Sequence, residues 1–225
     1  MNKFKLRLNK IYNYIFKEKF YKKINIDWSN FPNRSEIIQS VIDNKGYKTY
    51  LEIGCDNDLN FNKINIETKI GVDPVSGGNI RKTSDEFFSE NKIFFDCIFI
   101  DGLHEYDQVK RDIINSLNYL NNGGVIFVHD CMPRSFFEQA VPRSQYVWTG
   151  DVWKLIVELR TKDYLDICVA TLDMGLGIIL KRKNSNILEI KVSNFKNLKF
   201  KEYYENYEKY LNLINHKKII NFVNK

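Results

Sequence analysis

The run Phe95-Asp-Cys-Ile-Phe-Ile100, followed by Asp101-Gly-Leu-His104, constrains this chain more than any other segment. Apolar residues at nearly every position describe a strand buried on both faces, as in a parallel sheet covered by helices. The run stops at a carboxylate and an imidazole, and in open α/β sheets the carboxyl ends of the strands border the ligand crevice. The pattern returns at Val125 to Val128, with helix-stopping Asn121-Asn122-Gly123-Gly124 before it and His129-Asp130 after it. Two neighbouring strand ends carrying Asp101, His104, His129 and Asp130 describe a polar site, suited either to a divalent metal or to proton transfer.

The flanking chain alternates helix and strand. Ser35 can cap a helix whose Ile37, Ile38, Val41 and Ile42 face the core, with Gly46 just past its end. Strands are expected over Thr49 to Ile53 and Lys69 to Val72, with a short helix near 60–66 between them. Ser84 can cap a short helix with Asp85 and Glu86 in its first turn, where the helix dipole favours acids. Val109, Ile113, Leu117 and Leu120 mark one face of the helix that links the two Asp- and His-tipped strands. Asp151 can cap a helix through Arg160, after which 166–171 and 176–182 are strand-like runs separated only by Leu-Asp-Met-Gly. So short a connection permits a hairpin and not a crossover, which makes one of the two strands antiparallel. The expected fold class is α/β, a Rossmann-like doubly wound sheet, mostly parallel, ending in an antiparallel hairpin.

A chain of 225 residues, 44% of them hydrophobic, can bury its own core without staples. Cys55, Cys97, Cys131 and Cys168 form no CxxC pair, and this reads as reduced, buried thiols in a cytoplasmic protein. There is no run of about 18 apolar residues and no apolar signal core at the N-terminus, so neither a spanning helix nor secretion is indicated. The net charge of +6 is local: Lys3, Lys5, Arg7, Lys10, Lys17, Lys19, Lys22 and Lys23 stand against Glu18 alone, and the chain after residue 23 sums to about −1. A body without basic excess argues against nucleic acid as the main partner. Phe4, Leu8, Ile11 and Ile15 recur at helical spacing within residues 1–23. They fit an amphipathic helix making peripheral contact with the anionic inner face of a membrane, or equally a helix packed on its own domain or on a partner subunit. From Lys199 a tyrosine-rich helix with Phe200, Tyr203, Tyr207, Tyr210, Leu211 and Ile214 is expected on the outside of the domain or in a homo-oligomer. The chain divides into a basic amphipathic segment 1–33, a domain 34–182 and a C-terminal helical extension 183–225 packed on that domain.

Tyr50-Leu51-Glu52-Ile53-Gly54-Cys55, Gly71-Val72-Asp73-Pro74, Asp96 to His104 and Gly123-Gly124-Val125-Ile126 together resemble a class I S-adenosylmethionine-dependent methyltransferase. The nearest resemblance is to the branch of metal-dependent sugar O-methyltransferases of antibiotic and surface-glycan pathways. It spans roughly residues 34–182 and implies the seven-stranded sheet of that class. Read on their own, Gly54 follows a strand where a bare backbone lets a ligand approach, and Asp73 stands 19 residues later at the next strand tip, placed to accept ribose hydroxyls. The Gly-x-Gly-x-x-Gly set is absent, since Cys55, Asp56, Asn57, Asp58 and Leu59 follow Gly54. That suits a cofactor without phosphates and disfavours a nicotinamide oxidoreductase, although the usual second glycine of the methyltransferases is missing as well.

The resemblance implies that Glu52 and Gly54 border the methionine end of S-adenosylmethionine, Asp73 the ribose, and Ser84 with Asp85 the adenine, Asp101 also lining the cofactor. It implies a divalent metal on Asp101, His129 and Asp130. His129 stands where the family often has glutamate, which shifts the preference from Mg²⁺ toward Mn²⁺, Fe²⁺ or Zn²⁺. His104 is the implied general base beside Asp101, and an ordinary imidazole pKa of about 6.5 suits that role. Met132 to Gly150 forms a long loop at the ligand edge, a natural lid or acceptor pocket in which Arg134 and Arg143 suit a phosphate or carboxylate and Tyr146 and Trp148 suit sugar rings. Caps, backbone hydrogen bonds and ordinary packing are the structural alternatives for each of these residues. The implied activity is methylation of an oxygen on a sugar, glycan precursor or related polar metabolite, with or without metal. The alternatives are metal-independent methylation of a phosphorylated or phosphoramidate-bearing small molecule, and a non-catalytic membrane- or partner-binding module.

Overall fold

The computed structural model describes residues 2–225. Helix α1 (Lys3–Phe16) precedes α2 (Arg34–Lys45), β1 (Thr49–Ile53), β2 (Thr68–Val72), α3 (Ser84–Glu90), β3 (Phe95–Ile100), α4 (Tyr106–Asn118) and β4 (Leu120–Val128). Then come α5 (Phe136–Gln139), α6 (Val152–Leu159), β5 (Asp166–Thr171), β6 (Leu176–Leu180), α7 (Phe200–Leu211), β7 (Leu213–Asn215) and α8 (Ile219–Val223). Among the described residues seven strands form one sheet in the order β2-β1-β3-β4-β6-β5-β7. β6 runs antiparallel to both β4 and β5, and every other pairing is parallel. The expected hairpin is therefore β5–β6. The seventh strand comes from the C-terminal extension, which is not only helical: β7 pairs with the outer edge of β5.

Both faces of the sheet are covered, which is why its central strands are apolar at nearly every position. Leu51, Ile53, Ile98, Ile100, Ile126 and Val128 pack on one face with α4, α6 and α7. Tyr50, Cys97, Phe99, Val125 and Phe127 pack on the other, with α2 and α8. The tyrosine-rich α7 lies on its own domain, where Tyr203 is fully buried with its ring 4.6 Å from that of Trp153. All four cysteines are free and buried.

Three caps differ from the sequence reading, each because a neighbour makes the better bond. Asn33, not Ser35, caps α2 through the Glu36 amide, and Gly46 closes that helix in the left-handed region as expected. Thr83, not Ser84, caps α3, because Thr-x-x-Glu forms a reciprocal capping box with Glu86. Asp151 precedes α6 without capping it; its carboxylate accepts the Tyr106 amide of α4 at 2.8 Å. The Asn-Asn-Gly-Gly run lies inside β4 as a register shift opposite Phe95 to Cys97, with Gly124 so close to the Asp96 carbonyl that a Cβ would stand 2.7 Å from it. The expected helix near 60–66 is a single 3₁₀ turn, Phe61–Lys63.

Gly54, Asp73, Asp101, His129 and Asp173 lie just beyond the carboxyl ends of β1, β2, β3, β4 and β5. β2 and β3 flank β1 on opposite sides, so the crevice of a doubly wound sheet opens between β1 and β3.

Candidate active site

The β1 side of the crevice is built from backbone. Gly54 has φ +86°, and a Cβ there would stand 2.4 Å from the Asp101 carbonyl, so the glycine lets the β3 loop close against β1. Asp56 and Asp58, at φ 47° and 63°, take the left-handed turns that further glycines would otherwise supply. The Asp73 carboxylate accepts the amides of Val75 at 2.8 Å, Ser76 at 2.9 Å and Asp56 at 3.1 Å, tying the loops after β1 and β2 together. Burial alone would raise its pKa; these bonds outweigh burial and hold it below the usual carboxylate range.

Between those loops lies a cavity of about 640 Å³ whose walls include Gly54, Asp73, Ser84, Asp85 and Asp101, a size that suits a cofactor or drug-sized ligand. Ser84 donates to buried Asp112 at 2.6 Å, and Gln108 of α4 bonds both at 3.1 and 3.0 Å. Asp85 is exposed and pairs with Arg111 at 3.3 Å. Glu52 borders instead an adjoining cavity of about 270 Å³, shared with Arg34, Asn60, Asp101 and His104. Its carboxyl receives Tyr50 Oη at 2.6 Å and Asn60 Nδ2 at 2.7 Å. Burial, only partly offset by those two bonds, pushes its pKa up to about 7.

The β3 and β4 side is built from charge. His104 Nδ1 stands 2.7 Å from Asp130 and Nε2 3.3 Å from Asp101. His129 Nδ1 is 3.0 Å from Asp101 Oδ1, and its Nε2 donates to the Asp173 carbonyl at 2.8 Å. Arg34, at the start of α2, reaches Asp173 at 2.8 Å and Asp101 at 3.3 Å. Three carboxylates thus face three basic groups. Burial would lower the His104 imidazole, but Asp130 and then Asp101 outweigh it and raise its pKa to about 10, well above the ordinary value expected for a base. His129 is likewise held above its usual range, chiefly by Asp101, and Asp101 far below its own, chiefly by His129.

The backbone of His104 is fixed from α6's side. Gly150 has φ +59°, a Cβ there would stand 1.6 Å from the His104 carbonyl, and that carbonyl accepts the Asp151 amide at 3.2 Å. Trp148 stacks on the His104 ring with centroids 5.6 Å apart and planes at 20°.

The residues present fit a divalent cation. Ligand atoms of Asp101, His104 and Asp130 all lie within 4.8 Å of one another. Asp130, in the left-handed region at φ 60° and buried, has an Oδ1 with no hydrogen-bond partner. Two carboxylates and an imidazole suit Mn²⁺- or Zn²⁺-type ions. This grouping takes His104 in the place expected for His129, whose two ring nitrogens face Asp101 and the Asp173 carbonyl.

The acceptor-loop residues separate. Trp148 is in the site, Arg143 lies over the Trp148 ring at 5.4 Å, and Tyr146 is exposed on the loop. Arg134 is turned away, paired with Glu138 at 2.8 Å and donating to the Ile26 carbonyl. Sequence reasoning missed Arg34, Asn60, Gln108, Asp112 and Asp173. Asp173 had a signal, because it ends a strand whose carboxyl end shares the edge of β1 to β4; Arg34 had none.

Comparison with known proteins supports one class. Residues 31–131 match a family model described as a methyltransferase domain. Comparison with curated proteins finds no match. A putative O-methyltransferase from Klebsiella pneumoniae superimposes with TM-score 0.52 at 13% identity, over 79% of this chain and 88% of that one. An S-adenosylhomocysteine-bound methyltransferase from Podospora anserina gives 0.51 at 13%, over 78% and 95%. An O-methyltransferase of tomaymycin synthesis from Streptomyces achromogenes, solved with S-adenosylmethionine, gives 0.50 at 10%, over 81% and 99%. At such identities the structures share the fold alone, and the class comes from the sequence match: residues 31–131 carry the pattern of a methyltransferase domain.

Proposed function

We propose that the protein transfers a methyl group from S-adenosylmethionine to an oxygen of a sugar, glycan precursor or related polar metabolite. The observation that carries this reading is His104, which lines the smaller cavity suspended between Asp101 and Asp130, with the flat face of Trp148 beside it. Oxygen acceptors lose a proton as they gain the methyl, and a fixed imidazole at the crevice is the group able to take it. S-adenosylmethionine supplies an electrophilic methyl on a sulfonium. Gly54, Asp73 and Ser84 would hold its adenosine, and Glu52 its amino-acid end. Asp130 and Asp101 orient the His104 ring, and Gly150 with Asp151 hold its backbone.

His104 rests as an imidazolium at neutral pH, so it accepts the acceptor's proton only in the fraction that has first lost its own. That fraction grows tenfold per pH unit up to about 10. The orphaned Asp130 Oδ1 favours a second reading, in which Asp101, Asp130 and His104 hold a divalent ion. Such an ion supplies positive charge that lowers the pKa of an acceptor hydroxyl. Transfer of labelled methyl to a panel of hydroxylated sugars and glycan precursors, with and without chelator, tests both readings. Incorporation that chelator leaves intact fits the metal-free site, and loss restored by Mn²⁺ fits the metal site. Labelling of nitrogen or sulfur acceptors in place of hydroxyls would sink the oxygen reading.

A further inference from the structure

Helix α1 presents two opposite faces. Leu6 and Asn13 are buried against the body, and the side chains of Asn9 and Asn13 donate to the carbonyls of Arg143 and Pro142 at 2.7 and 2.9 Å. This latch fixes the helix in one orientation. A helix turns about 100° per residue, so Phe4, Leu8, Ile11 and Ile15 share one stripe on the side away from the latch. They are 70, 50, 50 and 56% exposed. Exposed Lys5 borders the stripe on one side, and exposed Lys3 and Arg7 on the other.

We infer that α1 docks the enzyme on an anionic lipid bilayer, with the Phe4-Leu8-Ile11-Ile15 stripe entering the headgroup boundary and the basic collar meeting lipid phosphates. Charge chooses this occupant. A second copy paired through the same face would bring two collars of Lys3, Lys5 and Arg7 together, whereas an anionic surface neutralises them. Because the carbonyl groups of the acceptor loop hold the polar face of the helix, nothing within the described chain covers the apolar one. No described helix is long and apolar enough to cross a membrane, so the contact is in-plane. The inference stands apart from the methyl-transfer reading, since its test requires no turnover.

The test is flotation of the full chain with vesicles of phosphatidylcholine alone or mixed with phosphatidylglycerol. Wild-type protein is expected to float with the anionic vesicles and to be released by salt. Leu8→Asp with Ile11→Asp changes two exposed positions, leaves the circular dichroism spectrum intact and cuts partitioning about tenfold or more per side chain. Lys3→Glu with Arg7→Glu cuts it at least about fivefold per residue on anionic vesicles and leaves the neutral ones unaffected. Equal wild-type binding to the two vesicle types, or undiminished binding by the Leu8→Asp, Ile11→Asp protein, overturns the inference. So does a dimer in sedimentation velocity that the same double variant splits, since that would give the face to a second copy.

Discussion

The β1–β2 side of the crevice and the β3–β4 side have the same position in the fold and are built by different means. On the first, Gly54, Asp56, Asp58 and Asp73 come from one stretch of chain and are held by backbone amides, each within 20 residues of its partner. On the second, Arg34, Asp101 with His104, Asp130 and Asp173 come from separate segments and are held by charge, and Trp148 joins them by stacking on His104. Short-range hydrogen bonds make a pre-formed cradle with little dependence on its surroundings. A ring of opposed charges makes a site whose protonation each member sets for the others. The comparison therefore predicts that cofactor binding and proton transfer respond to different substitutions.

The joint between the halves should fail first. Gly54→Ala forces a side chain to φ +86° and into the Asp101 carbonyl, so both halves should be lost together. Thermal unfolding should show a destabilisation of about 1–3 kcal/mol from the backbone strain alone, and S-adenosylhomocysteine binding in calorimetry should disappear. A stable variant with intact binding would mean that the two loops are not pressed together.

Asp73→Asn keeps an oxygen for the Val75 and Ser76 amides while removing the charge. Calorimetry should find S-adenosylhomocysteine bound about 10- to 100-fold more weakly, with turnover at saturating cofactor nearly unchanged. A fall in turnover at saturation would erase the division between the halves.

Glu52 gives a smaller, pH-dependent effect. Its folded pKa of about 7 lies above the unfolded carboxyl value, so the stabilisation it gives the empty protein is present in acid and lost as pH rises through 7. On the proposed assignment of Glu52 to the amino-acid end of the cofactor, the amino group would need the ionised form, so affinity should rise with pH by up to about tenfold per unit below 7 and then level off. Glu52→Gln should flatten that profile. An unchanged slope in the variant would place the titrating group elsewhere.

The sheet was legible in the sequence because buried parallel strands are apolar without interruption and their polar tips stand out. Residues 95–104 and 125–130 showed both strand and site, and the four-residue Leu-Asp-Met-Gly connection showed the reversed β6. β7 was not legible: three residues on an edge carry no pattern of their own, and they read as the tail of α7. The Thr83 capping box was legible and passed over. Arg34 and Arg134 exchange importance for a reason that only tertiary structure supplies, since Glu138 on the same turn takes up one guanidinium while two site carboxylates take up the other. The ordinary pKa expected for His104 failed for a related reason: Asp101 stands three residues away in the sequence, but Asp130, which raises the pKa most, is brought to the ring only by the fold.

The most direct test is the single-turnover rate of methyl transfer against pH for wild-type protein and His104→Gln, with bound S-adenosylhomocysteine measured on the same samples. Without added metal, the wild-type rate should climb tenfold per pH unit toward about 10. His104→Gln should lose roughly 10² to 10⁴ in rate together with that climb, while binding S-adenosylhomocysteine as tightly as before. A variant that transfers methyl at the wild-type rate, or that loses its cofactor, would contradict the account.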